Sequence, residues 1–120
     1  MFTLNKGDKY KNPKDKNGLT PLHLAAECGH IQSFKIIFEE IEEKNPKDNN
    51  GITPLHIAAA HGYVEICKTI LDSVPDKNPK AWNGKTPLHF AAKNGHEIIF
   101  SMIMPKKIED IFSKFSSPEK

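Results

Sequence analysis

The sequence predicts an all-α fold built as an array of stacked repeat units, and three observations predict it. One phrase occurs three times: Gly18-Leu19-Thr20-Pro21-Leu22-His23-Leu24-Ala25-Ala26, Gly51-Ile52-Thr53-Pro54-Leu55-His56-Ile57-Ala58-Ala59 and Gly84-Lys85-Thr86-Pro87-Leu88-His89-Phe90-Ala91-Ala92. The step between copies is 33 residues both times, and a second marker keeps it: Asn12-Pro13-Lys14, Asn45-Pro46-Lys47 and Asn78-Pro79-Lys80. Between the markers, apolar residues recur at helical spacing. Self-similarity at a fixed period of this length marks stacked units that share one core, and it outranks local propensity.

The bulk composition agrees with a small globular domain. The chain has 120 residues, 38% hydrophobic and 27% charged, with a formal net charge of +2. That balance does not announce nucleic acid by itself. No apolar run reaches the ~20 residues needed to span a bilayer. The first eleven residues carry lysines but no apolar core of a signal peptide. The two cysteines, Cys28 and Cys67, lack metal-site or redox-motif spacing, and we read them as reduced thiols of an intracellular protein, cytoplasmic or nuclear.

Taken in order, residues 1–14 form an N-terminal extension. Leu4-Asn5-Lys6-Gly7-Asp8 could be the tail of a degraded repeat, but there is no room for a preceding helix pair, so a loop or short turn is expected. The first unit spans 15–47. Asp15-Lys16-Asn17-Gly18 is a turn signal. Thr20 is placed to cap a helix, and Pro21 falls at its first position, where the missing N–H has no helical partner to lose. Leu22, Ala25 and Ala26 line one face, and Gly29 ends the helix. A second helix is predicted from about Ile31 to Glu42, with Ile31, Phe34, Ile37, Phe38 and Ile41 on its apolar stripe. Its acidic end, Glu39, Glu40, Glu42 and Glu43, is unfavourable against the helix dipole.

Residues 48–80 repeat the plan. Thr53 and Pro54 start a helix that stops before Gly62. Val64, Cys67, Ile70 and Leu71 form the inner stripe of the next, and Pro75 marks its end. The third unit, 81–105, opens with Ala81-Trp82 where the others have Asp15-Lys16 and Asp48-Asn49. Gly95 closes its first helix. Glu97 then replaces the apolar residue at the start of the second helix, and Pro105 should stop or kink it, since an interior proline costs ~3 kcal/mol. From Lys106, Ile108, Ile111, Phe112 and Phe115 fall on one stripe. We expect residues 106–120 to supply a C-terminal capping helix and tail, because the last unit of an array must hide its apolar face. A loose tail is the other reading.

These markers together resemble the ankyrin repeat family over residues 15–104. The resemblance rests on Thr-Pro-Leu-His-x-Ala-Ala, the glycine after each first helix and the 33-residue spacing. It implies a solenoid of stacked helix–turn–helix units with β-turn fingers projecting to one side. It also implies non-catalytic binding of a protein through the concave face, formed by finger tips and first helices. Three departures stand out. Ala81 lacks the family's finger aspartate, Glu42-Glu43-Lys44 and Pro75-Asp76-Lys77 replace the usual Gly-Ala-Asp, and Pro105 interrupts the last helix.

The six histidines do not suggest chemistry. His23, His56 and His89 recur at the motif position. Stacking would hold them roughly 9–10 Å apart, whereas zinc needs its ligand nitrogens within ~2.1 Å of one ion. Each should instead hydrogen-bond backbone and fix its finger. His30 and His96 follow the helix-ending glycines and should help initiate the second helices, while His61 should face the groove. No nucleophile elbow, phosphate-cradling loop or His-Glu-x-x-His occurs. Cys28 near His23 would sit at a helix C-terminus, where the dipole disfavours a thiolate. No catalytic, cofactor or metal residues are therefore assigned, and the chain is read as not an enzyme.

By the resemblance, the groove positions are Lys16, Asn17, Leu19, Glu27 and Cys28 in the first unit. The second supplies Asn49, Asn50, Ile52, Ala60 and His61, and the third Trp82, Asn83, Lys85, Lys93 and Asn94. Leu19 and Ile52 are apolar where water is expected. Trp82 is either a binding anchor or a packing residue on the neighbouring finger. Asn17, Asn50 and Asn83 precede glycines and suit turns better than recognition. Lys14, Lys47 and Lys80 stack into a column, as do Lys11, Lys44 and Lys77, which would steer an acidic partner unless these are simply solvated lysines. Asp15, Asp48, Asp76 and the glutamates interrupt the basic field, which argues against nucleic acid. The reading is a monomeric protein-binding module. The alternative is an assembly module of a longer array with no partner of its own.

Overall fold

Six helices follow one another in a computed structural model that describes residues 13–104. They are α1 (Pro21–Cys28), α2 (Ile31–Glu40), α3 (Pro54–His61), α4 (Val64–Leu71), α5 (Pro87–Lys93) and α6 (Glu97–Ile103). The extension before Pro13, the proline break at 105 and the capping helix expected over 106–120 lie outside the described residues.

The inner helices α1, α3 and α5 begin in the same way for the same local reason. Thr20, Thr53 and Thr86 are extended at the cap, and each hydroxyl accepts the backbone N–H of the histidine three residues on. The histidine returns the favour: Nδ1 accepts the threonine N–H at 3.1 Å in all three units. Two otherwise unpaired donors at the helix start are thus satisfied reciprocally, an arrangement worth about 1 kcal/mol per cap.

Each inner helix packs on its own outer helix, α1 on α2, α3 on α4 and α5 on α6. Each row also packs along the array, α1 on α3 on α5 inside and α2 on α4 on α6 outside. Ala26, Ala58, Ala59 and Ala91 are fully buried between them, and their small side chains let the helices close up. Phe34, Phe38, Ile66, Ile70 and Ile99 fill the seam with the outer row. Ile66 was not on the predicted stripe of α4, yet it is 1% exposed.

The second marker has a structural task. The Asn45 side-chain carbonyl accepts the Leu55 N–H at 3.0 Å, and Asn78 does the same for Leu88. Pro46 behind it is fully buried. The marker therefore ties the end of one unit to the start of the next inner helix.

The structure corrects the predicted end of α2, which stops at Glu40 rather than near Glu42. Ile41 leaves the helix in an extended conformation and is 4% exposed, so burying its side chain outweighs one more helical residue. This also explains the acidic end. Lys44 folds back to donate to the Phe38 carbonyl and lies over the Phe38 ring. Lys77 likewise donates to Leu71 and Val74 carbonyls after α4. A cation on the last carbonyls offsets the dipole that the glutamates oppose. The second lysine column is thus capping machinery at Lys44 and Lys77, and Lys11 lies outside the described residues.

His30 and His96 also depart from expectation. Both sit at the cap of an outer helix, but neither side chain bonds to it. His96 instead donates from Nε2 to the Ala60 carbonyl at 3.1 Å, one unit back.

Candidate functional site

Three fingers stand beside the inner row. In the first, Asp15 N–H donates to the Leu19 carbonyl and Gly18 N–H to the Asp15 carbonyl, and residues 48–52 and 81–85 repeat these bonds. Neighbouring fingers are joined through backbone, Asn49 N–H to the Asn17 carbonyl and Trp82 N–H to the Asn50 carbonyl, both at 3.0 Å. The Asp15 carboxylate takes the N–H groups of Asn17 and Leu19, and Asp48 those of Asn50 and Ile52. Ala81 cannot do this. In the third finger the Asn83 side chain accepts the Lys85 N–H instead, so the turn persists without its carboxylate.

The motif histidines lock finger to helix. His23 donates from Nε2 to the Ile52 carbonyl at 2.7 Å, and His56 to the Lys85 carbonyl at 3.0 Å. With Nδ1 accepting at the cap, the bonding pattern assigns both as neutral rings protonated on Nε2. Burial holds both pKa values below the ordinary histidine value, against the opposing pull of those carbonyls. Among the described residues no group of three or more His, Cys, Asp or Glu is arranged to hold a metal ion. Cys67 is buried, which pushes its thiol up to about 12.

Between fingers and inner helices lies a cavity of about 150 Å³, lined by Glu27, Ile52, His56, Ile57, Ala60, His61 and Phe90. Four residues assigned from the sequence meet here: Glu27, Ile52, Ala60 and His61. His61 is 3.2 Å from the Glu27 carboxylate and stacks on Tyr63. Other assigned residues hold the scaffold. Asn49 donates from its side chain to the Lys16 carbonyl, and Asn94 to the Ala60 carbonyl. Cys28 lies apart, on an apolar hollow of about 620 Å³ at the outward face of α1 and α2, with Pro21, Leu24, Ala25, His30, Ser33 and Ile37. Lys16, Asn17, Asn50, Asn83, Lys85 and Lys93 are exposed, and Leu19 is half-buried.

Trp82 touches the neighbouring finger without being buried by it. The edge of its ring borders Gly51 of the neighbouring finger, yet the residue is 80% exposed. Ile57 and Phe90 were missed as groove residues. Their signal was present: they occupy the variable place in Thr-Pro-Leu-His-x-Ala-Ala, which is apolar in every copy, Leu24 included.

The comparison with protein families decides the class. A family model described as ankyrin repeats, in three copies, matches residues 2–81 and again 34–114. The chain is an ankyrin-repeat protein. No curated protein matches it as a relative. Ankyrin repeats are generally protein-interaction modules and typically non-catalytic. Among the described residues, this ankyrin protein has no helix long and apolar enough to cross a membrane.

Proposed function

We propose that the chain binds a protein partner through the groove between its fingers and inner helices, as a non-catalytic intracellular monomer. One observation carries this reading. An apolar hollow opens among Ile52, Ile57 and Phe90, and the next finger carries a tryptophan that the fold leaves 80% exposed. Tryptophan is enriched among residues that dominate binding energy, and anchors of this kind work in pockets ringed by polar groups. His61 and Glu27 line this hollow, and Lys85 and Lys93 hold the register positions of Ile52 and Ala60 in the next unit.

A second reading is favoured by the ends of the array. The hollow around Leu24 and Cys28 is largely apolar, and at Gly84 and Gly95 no described residue lies within 4 Å of an added Cβ. Those faces suit an assembly module whose neighbours are further repeats.

Affinity capture from the source cell separates the two. The wild-type chain should retain partners that the Trp82→Ala/Ile52→Ala double variant loses. Partners held equally by both proteins would remove the groove as the site. A monomer in sedimentation that captures nothing would favour the assembly reading.

A further inference from the structure

The three units carry the same fold but not the same charge. In the first finger column, Lys14 donates from Nζ to the Lys47 carbonyl and Lys47 to the Lys80 carbonyl, both at 3.4 Å. Those two ammonium groups are engaged by the fingers themselves. Lys80, Lys85 and Lys93 make no side-chain hydrogen bond or ion pair among the described residues. They stand in a stretch, 77–96, that contains no aspartate or glutamate. The loss of the finger carboxylate at Ala81 removes the negative charge that Asp15 and Asp48 place at the other two tips.

The repeat register aligns two of these lysines with groove positions. Lys85 occupies the place of Ile52, and Lys93 that of Ala60 and Glu27. Ile52, Ala60 and Glu27 all line the groove cavity. One column of the groove thus runs from a carboxylate at Glu27, through an alanine, to an ammonium at Lys93. The Glu27 end is already engaged with His61. The middle is apolar.

We propose that this groove reads a partner segment by polarity, seating an aliphatic side chain in the hollow between Ile57 and Phe90 and carboxylates over Lys85 and Lys93. The inference rests on the concave groove being the binding site. Exposed cations without a partner among the described residues attract carboxylates and steer their approach. The hollow, of about 150 Å³, suits one branched side chain, and Trp82 stands on the same finger as Lys85. A nucleic acid fits worse, because its phosphates carry charge along the whole strand and would meet Glu27 as well. A protein segment can confine its carboxylates to one end.

The only tryptophan of the chain gives the readout. The probes are two capped heptapeptides with a central leucine flanked by glycines, one with paired glutamates before it and paired serines after it, the other with that order reversed. The controls are their lysine twins and a short oligothymidylate. One order should change Trp82 fluorescence saturably and bind more tightly than the other; equal affinity for the two orders would overturn the polarity. The affinity of the tighter peptide should fall at least about fivefold in Lys85→Glu/Lys93→Glu, and also fall on raising salt from about 50 to 300 mM. Lys35→Glu on the outer helix α2 should leave it unchanged. Equal binding of the lysine twins, no fluorescence response, or tighter binding of the oligothymidylate would each overturn the proposal. If the peptide arm fails while Trp82→Ala/Ile52→Ala still loses captured partners, the polarity is wrong and the groove stands. If that variant keeps its partners, the groove reading itself falls.

Discussion

The second and third repeats share the letters Thr-Pro-Leu-His-x-Ala-Ala but not the same surroundings. In the second, Leu55 and Ala59 are 0% exposed and His56 is 1% exposed. In the third, Leu88 is half-buried, and His89 and Ala92 are exposed. Both threonine–histidine caps form with the same distances. What differs is the neighbour. His56 reaches the Lys85 carbonyl of the next finger, whereas His89 bonds only within its own cap among the described residues. Local structure is therefore written into each repeat, while burial is conferred by the unit stacked against it. This is the behaviour of a nearly one-dimensional array, whose stability is a sum of unit and interface contributions.

The sharpest way to break this comparison is at the shared leucine. Leu55→Ala should destabilise by ~2–5 kcal/mol, the range for a fully buried leucine in a packed core. Leu88→Ala should cost less, because part of that side chain already meets water. Urea unfolding of the two variants gives the difference directly. Equal losses would mean that stacking does not govern burial here.

A smaller effect tests the interface through glycine. Gly62 and Gly95 both hold left-handed backbone, with φ of 82° and 75°. A Cβ at Gly62 would fall 2.7 Å from the His96 ring, whereas at Gly95 nothing among the described residues lies within 4 Å. Gly95→Ala should cost about 1–2 kcal/mol for the backbone alone. Gly62→Ala should cost more, since the ring must also give up its place and its bond to Ala60. The excess of one loss over the other, read by thermal unfolding, isolates the neighbour's contribution.

The gentlest probe is pH. His23 and His56 have folded pKa values below the unfolded value of about 6.5. The unfolded chain then binds more protons as pH falls below 6.5, so stability is full above that pH and declines towards the lowered folded values. The urea midpoint should drop between about pH 7 and pH 5. His56→Gln should flatten part of that slope, because glutamine also closes a capping box but does not titrate. An unchanged slope would mean that His56 contributes nothing to the linkage.

Much of the architecture was readable because the repeats repeat. Thr20, Thr53 and Thr86 announce inner helices, and Gly29 and Gly62 end them. The groove was less readable. Ile57 and Phe90 were not assigned to it, because they sit inside the most regular phrase of the chain and periodicity marks spacing rather than facing. Lys14, Lys44, Lys47 and Lys77 looked like a charged surface, yet each reaches backbone oxygens. A lysine's reach of several ångströms leaves its target open until the fold places a carbonyl nearby.

Local chemistry was enough to dictate the unit. A capping threonine, a proline that gives up no bond and a histidine three residues on act within a single turn, so they need no distant partner. Which copy of each residue becomes core, strut or open surface was decided only by stacking. Identical side chains meet a neighbour at His56 and stand exposed at His89, and a contact made across 29 residues of chain is invisible to any short stretch of it.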